Sequence, residues 1–496
     1  MNTIRKAFDY YPDTSRRFLE IIIPLLSWAI ITMPIWLSFW HPAVVAYFVI
    51  FFIVYWFYKS ANLALNAIRS YLTLTSHTMV DWYKLASSEK DFPKIHHVVI
   101  IPEFKEPLHV LTKTLENLAL TDFPKKQISI CLATEEKDEK SEETSAILKE
   151  KFKDKFANFF VNRHNLTSGE IAGKSSNMAF AAKRVYQNLS AQGYNMSRVT
   201  VTSCDADALL HPKYFSYLTY KFLKDENRSF HFYQASVMFY SNIWYVPLPG
   251  RILNTIGSIF SLSLLSQGMR LINFSTYTLS FKTAKEVGFW SVDVIPEDYH
   301  MFFKTYFAKG AKVKVIPIFL PIMVQAALST SFIKTLKNQY EQQKRWAWGV
   351  SDLPEVIKGY ITHPEIPFWD RTFRLLNLLE SHLVWPTNWF ILTLGSVIPP
   401  LINPYFARTA LGHNLSQISS LILTLCIVFL LVIIYLDSKM KPPRPANFSK
   451  WRIPFLYIQW IALPVVSFFL SALPGLDAHT RLMLGKRLEY RVTEKV

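Results

Sequence analysis

From Ile21 to Tyr58 the chain contains no Asp, Glu, Lys or Arg. A helix needs about 20 apolar residues to cross a bilayer, so this stretch is long enough for two, with His41-Pro42 as the turn between them. Arg5, Lys6, Arg16 and Arg17 precede it and Lys59 follows, which by the positive-inside rule places both ends in the cytoplasm. It lacks the small-residue cleavage pattern of a signal peptide and is expected to stay in the mature protein. Ser381 to Ala407 and Ala410 to Leu436 are again free of the four charged residue types, and each can hold one span. Ile453 to Leu476 is a further apolar run, interrupted by Pro464. Lys439, Lys441, Arg444, Lys450 and Arg452 lie before it, and Arg481, Lys486, Arg487, Arg491 and Lys495 after it. Basic residues on both sides predict a re-entrant or interfacial hairpin there rather than a crossing, whereas hydropathy alone favours a plain span with a basic tail outside.

Half of the 496 residues are hydrophobic and the formal net charge is +17. The lysines and arginines are scattered and no nucleic-acid motif is present, so this excess fits cytoplasmic flanks beside anionic lipid head groups, not nucleic acid. Cys131, Cys204 and Cys426 are far apart in apolar or strand-like surroundings, a pattern that predicts neither a disulfide framework nor a zinc site.

Between the apolar ends the texture changes. Short β-rich runs, at His96 to Ile101, Gln127 to Ala133, Asn158 to Val161, Arg198 to Ser203 and Phe230 to Ser236, alternate with helix-like segments around Leu108 to Leu120, Ser141 to Lys153 and Lys174 to Gln187. Such alternation predicts an α/β domain with a mainly parallel sheet, whose ligands sit beyond the carboxyl ends of the strands. The chain thus divides into an N-terminal membrane region (1–60), an interfacial linker (61–94), the α/β domain (95–350), interfacial helices (351–380), a C-terminal membrane region (381–476) and a cytoplasmic tail (477–496). A mixed, partly amphipathic pattern from Lys59 to Lys94 predicts a helix along the membrane surface.

The fourth β-rich run leads into Asp205-Ala-Asp207. In extended backbone, residues two apart project to one side, so both carboxylates can converge on a hard cation such as Mg²⁺, which takes its remaining oxygens from a diphosphate. An Asp-x-Asp at a strand end is also common in plain turns. Glu103 and Glu106 stand at the carboxyl end of the first strand. Gly169 to Asn177 reads GEIAGKSSN, where Lys174 can meet a phosphate. A nucleotide-triphosphate loop is excluded because Gly169 and Gly173 have three residues between them where that motif needs four. Glu297 and Asp298 precede a predicted helix, where carboxylates are also ordinary first-turn residues. Gln342 and Arg345, three apart on a helix, share a face, and Trp346 offers a flat apolar surface to a sugar ring. An interfacial anchor is the plainer role for that Arg-Trp pair.

Taken in order, Asp205-Ala-Asp207, Pro296-Glu297-Asp298 and Gln342-Gln343-Lys344-Arg345-Trp346 resemble the signature of the membrane-embedded processive members of glycosyltransferase family 2, such as cellulose and hyaluronan synthases. Tyr490-Arg491-Val492-Thr493-Glu494-Lys495 is similar to the gating loop of cellulose synthases, with Tyr for Phe. The likeness covers His96 to Trp348 well and the flanking spans in outline. It implies a GT-A (Rossmann-like) cytoplasmic catalytic domain inserted between transmembrane helices of a bacterial inner-membrane protein. It implies Mg²⁺ or Mn²⁺ as cofactor, a nucleotide-sugar donor, UDP-sugar ahead of GDP-sugar, and a polysaccharide or lipid acceptor. Asp298 would be the catalytic base and Asp207 the metal ligand. Glu106, Lys174, Asp205, Asp207, Arg345 and Thr493 would bind the donor, and Glu297, Gln342 and Trp346 the acceptor.

Two departures are visible. The triplet begins with Pro296 instead of Thr, and the second strand ends in Ala133-Thr134-Glu135-Glu136 where many members have a base-contacting Asp. The base therefore stays open. Two rivals remain at this point: a non-processive transferase adding one sugar to a membrane lipid, and a non-catalytic transporter or channel with a nucleotide-binding domain.

Overall fold

The structure, a computed structural model, describes residues 8 and 10–488. Helix α1 (Pro12–Trp36) and helix α2 (Pro42–Met79) open the chain, and His41-Pro42 is the turn between them. Proline suits the first turn of a helix because its φ is preset and its missing N–H would have had no partner there. Helix α2 does not stop at Lys59. Ala61, Leu63, Ala64, Leu65 and Ala67 are strong helix formers and carry it unbroken to Met79, so most of the expected linker is the lower half of the second long helix. Its Leu74 packs against Met238, Tyr240 and Ile243 of the α/β domain.

That domain is built on strands β1 (His96–Pro102), β2 (Ile128–Glu135), β3 (Asn158–His164), β4 (Val199–Ser203), β5 (Leu209–Leu210), β6 (His231–Met238), β7 (Tyr277–Ser280) and β8 (Lys314–Met323). They form one mixed sheet in the order β3-β2-β1-β4-β7-β6-β8-β5. Of the five expected strands, β1 to β4 pair in parallel, and the fifth, β6, pairs parallel with β8 but antiparallel with β7, which also joins β4 antiparallel. Alternate residues of β1 serve opposite cores. Val99 and Ile101 meet Leu111, Leu115 and Leu148 on one face, and Val98 and Ile100 meet Ala181, Ala182 and Val185 on the other. The α/β class expected from the sequence is the one observed.

The C-terminal half corrects two expectations. Ser381–Ala407 is not one span: the helix here, Phe368–Leu394, starts earlier, and short helices at Ile398–Ile402 and Pro404–Ala407 follow. Pro399, Pro400 and Pro404 each lack the N–H that would continue the ladder. The run at 453–476 is not a hairpin. It is a continuous helical rod, Phe455–Met483, in which Pro464 and Pro474 each stand at the start of a new helical segment and a π turn at Phe468–Ala472 takes up the register change. The rod touches the α/β domain near both ends: Arg251 donates to Gln459 (3.0 Å), and Lys344 pairs with Asp477 (3.4 Å). Among the described residues four helices are long and apolar enough to cross a membrane: Pro12–Phe39, Pro42–Met79, Ala410–Met440 and Phe455–Met483.

Candidate active site

The pairing of β4 with β7 brings the charged residues together. Ser203 lies opposite Tyr277, and just beyond the two strands the Asp205 and Ser275 side chains are hydrogen-bonded. Asp205 and Asp207 stand on a turn, with Ala208 N–H bonded to Asp205 O (2.9 Å), rather than on the extended backbone assumed from the sequence. Asp205 accepts from the Ser275 hydroxyl, and its backbone N–H donates to Thr276 Oγ1 (3.1 Å). Asp207, buried, accepts from Gln325 N–H just beyond β8 (2.9 Å).

Lys174 opens helix α3 (Lys174–Ala191), preceded by Gly173 at φ 145°, a conformation that favours glycine. A cation in the first turn of a helix meets the positive end of the dipole. Here carboxylates compensate: Lys174 Nζ stands 2.8 Å from Asp205 Oδ1 and 2.8 Å from Glu297 Oε1, and donates to Ser275 O (2.8 Å). Burial alone would depress the ammonium's pKa, but Asp205, Glu297 and Asp298 outweigh it and hold it well above the usual lysine range. Lys174 is thus turned to carboxylates in this state.

Glu297 and Asp298 begin helix α4 (Glu297–Lys309), and neither caps it from the N-cap position, which is Pro296. Asp298 Oδ2 accepts from Ser275 N–H (2.9 Å), and Asn273 donates to Asp298 O (2.6 Å). Burial pushes the Asp298 carboxyl upward, restrained by Lys174 and by the N–H groups of Ser275 and Tyr299. Burial also pushes Glu297 up to about 7, against the pull of Lys174 and with help from Asp298.

Gln342, Arg345 and Trp346 lie on helix α5 (Phe332–Ala347). Gln342 is buried and accepts from Gln339 (3.3 Å), Arg345 is half-buried, and Trp346 tilts against Phe239 with ring centres 5.6 Å apart. The end of α5 is docked to α4, because Tyr299 OH donates to Gly349 O and His300 meets Asp352 at 2.6 Å. A Cβ at Gly349 would come within 2.5 Å of the Tyr299 hydroxyl, so that approach requires glycine. Beside this junction lies a cavity of about 1050 Å³ lined by Ile295, His300, Trp348, Asp352, Leu482 and Leu488, among others. Thr493 and the rest of Tyr490 to Lys495 lie outside the described residues.

Glu106 follows Lys105, a non-glycine residue at φ 56° whose N–H donates to Asp138 Oδ2 (2.7 Å). Asp138 is buried beyond the end of β2, near Glu103, whose carboxyl is pushed up to about 8 by burial and then by Asp138 and Glu106. Sequence reasoning missed two things here, Asp138 and the Asn273–Thr276 turn. The run Asn-Phe-Ser-Thr just before a strand was the available signal for the second.

A profile described as glycosyl transferase family group 2 matches residues 200–438. No curated protein sequence matches the chain. Among solved structures, the mannosyltransferase PcManGT from Pyrobaculum calidifontis, in complex with GDP-Man and Mn²⁺, is 12% identical with TM-score 0.42, covering 77% of this chain and 100% of its own. TarS 1-349 of S. aureus, in complex with UDP-GlcNAc, is 12% identical with TM-score 0.38, covering 71% and 93%. GalNAc-T7 with UDP, GalNAc and Mn²⁺ is 11% identical with TM-score 0.34, covering 60% of each. The matched segment, just under half of the chain, contains the paired aspartates, the acids that open α4 and the Gln-Gln-Lys-Arg-Trp helix, and it is similar to the glycosyltransferases of family group 2.

Proposed function

We propose that the protein is an integral membrane enzyme that transfers a sugar, with inversion, from a UDP-sugar to a growing polysaccharide at the cytoplasmic face of a bacterial inner membrane. The observation that carries this reading is the half-buried Asp298 carboxyl at the head of α4, tied through Ser275 to Asp205. A carboxyl whose pKa burial has raised is a stronger general base than an ordinary aspartate. Asp298 takes the proton of the acceptor hydroxyl as that oxygen bonds to the anomeric carbon. The bond to the diphosphate breaks with its electron pair leaving on the diphosphate, so one displacement inverts the centre.

Asp205, Lys174 and Glu106 hold the donor, and Arg345 offsets charge on the departing diphosphate. Glu297, Gln342 and Trp346 position the acceptor. The donor set fits a hard divalent cation. Asp207 with Asp205 would supply carboxylate oxygens to an ion that shares a diphosphate. Mg²⁺ or Mn²⁺ held by Asp207 would supply positive charge to the leaving group.

The test is a screen of UDP- and GDP-sugars with Mg²⁺ or Mn²⁺, scored by diphosphate release, with product length read on gels. Asp298→Asn is expected to abolish transfer, by roughly a hundredfold or more, while nucleotide binding stays within about threefold. Joint loss of binding and transfer would make Asp298 structural. A single-sugar lipid product would replace the polymer reading.

A further inference from the structure

One residue touches three of the four charged groups at the centre of the site, Lys174, Asp205 and Asp298. The Ser275 hydroxyl donates to Asp205 Oδ2, its N–H donates to Asp298 Oδ2 (2.9 Å), and its carbonyl accepts from Lys174 Nζ (2.8 Å). Ser275 does this at φ 59°, in the left-handed region. Glycine adopts that conformation without steric cost, whereas a side chain there is strained. Both backbone contacts would survive with glycine, so the hydroxyl is the part that glycine could not supply.

The neighbours hold the turn rigid. Gln234 on β6 accepts from Phe274 N–H (2.9 Å) and donates to Thr276 O (3.2 Å), while Asn273 reaches Asp298 O (2.6 Å). Strained conformations persist where the surroundings over-determine them, and they gather at functional sites. The antiparallel register of β4 and β7 explains why the turn lies here, and the left-handed residue explains how one backbone step reaches both carboxylates.

We propose that Ser275 is a positioning residue, which fixes the donor-side carboxylate Asp205 relative to the base Asp298 by binding one with its hydroxyl and the other with its amide. This rests on the roles given above to Asp205 and Asp298. The geometry couples the two acids: a donor that shifts Asp205 pulls, through one residue, on the group that takes the acceptor proton.

The test compares Ser275→Gly and Ser275→Ala with wild type in the full chain, purified in detergent, reading kcat, donor KM and thermal midpoint. A hydrogen bond to a charged group is involved, so both variants are expected to lose roughly tenfold to a hundredfold in kcat, with donor KM within about threefold. Ser275→Gly, relieved of strain, is expected to unfold no earlier than wild type. Wild-type kcat in Ser275→Gly overturns the proposal. So does a loss of kcat that follows a lowered midpoint in both variants, which would be a purely structural effect. Asp298→Asn serves as the separate control. If it transfers sugar normally, the assignment of the base fails and this proposal with it. If it is inactive while Ser275→Gly is fully active, only the role of Ser275 falls.

Discussion

Replacing Lys174 by methionine removes the ammonium that stands 2.8 Å from both Asp205 and Glu297. The Lys174 and Glu297 side chains are 14% and 8% exposed, so this is a buried pair, whereas Asp205 at 29% is better solvated and contributes the smaller share. Withdrawing one partner of a buried pair costs roughly 3–5 kcal/mol, because the charge left behind keeps its desolvation penalty. For a domain of this size about 1 kcal/mol moves the midpoint by about 2–4 °C, so a fall on the order of 10 °C is expected. The pH dependence also changes. The Glu297 carboxyl is raised from 4.5 to about 7 in the folded protein, so its contribution to stability is fully present below the unfolded value and is lost as pH rises through about 7. Without Lys174 that loss extends to higher pH, at up to about 1.4 kcal/mol per pH unit. Thermal unfolding in detergent between about pH 5 and about pH 9 measures both effects. Lys174→Met combined with Glu297→Gln should recover about 1–3 kcal/mol relative to the sum of the single losses. A wild-type midpoint in Lys174→Met, or strict additivity in the double variant, would refute the idea that this ammonium holds the carboxylates together.

Glu103→Gln is expected to leave stability within about 1 kcal/mol at low pH. It should stabilise the protein increasingly as pH climbs through about 8, where burial makes the wild-type carboxyl costly to ionise. Midpoints of the two proteins that run parallel across this window would show that Glu103 titrates normally. Removal of residues 490–496, which resemble a gating loop, is expected to lower turnover about tenfold or more with an unchanged midpoint. An unchanged rate in that truncated chain would dispose of the gating role.

Three of the four membrane-length helices and the parallel half of the sheet were legible in the sequence because their signals are local. Charge-free runs report hydrocarbon, and the alternation of β-rich and helical segments reports an α/β layer. The limits lay where proline and charge each admit two outcomes. Basic residues on both flanks of 453–476 read as a hairpin, yet Pro464 and Pro474 fall at helix starts, where proline is tolerated, and the rod continues. Ser381–Ala407 is charge-free but is broken after Leu394 by closely spaced prolines.

From residue order alone came the resemblance carried by Asp205, Asp207, Asp298, Arg345 and Trp346, since it rests on the types of these side chains and their order. Neither the turn geometry of the paired aspartates nor the burial of Lys174 among three acids could be read there. Nor could the part of Ser275, far from both acids in the chain. Those features follow from the antiparallel partnership of β4 with β7, a long-range pairing whose register is set by packing on both faces of the sheet and leaves no periodic mark in the sequence.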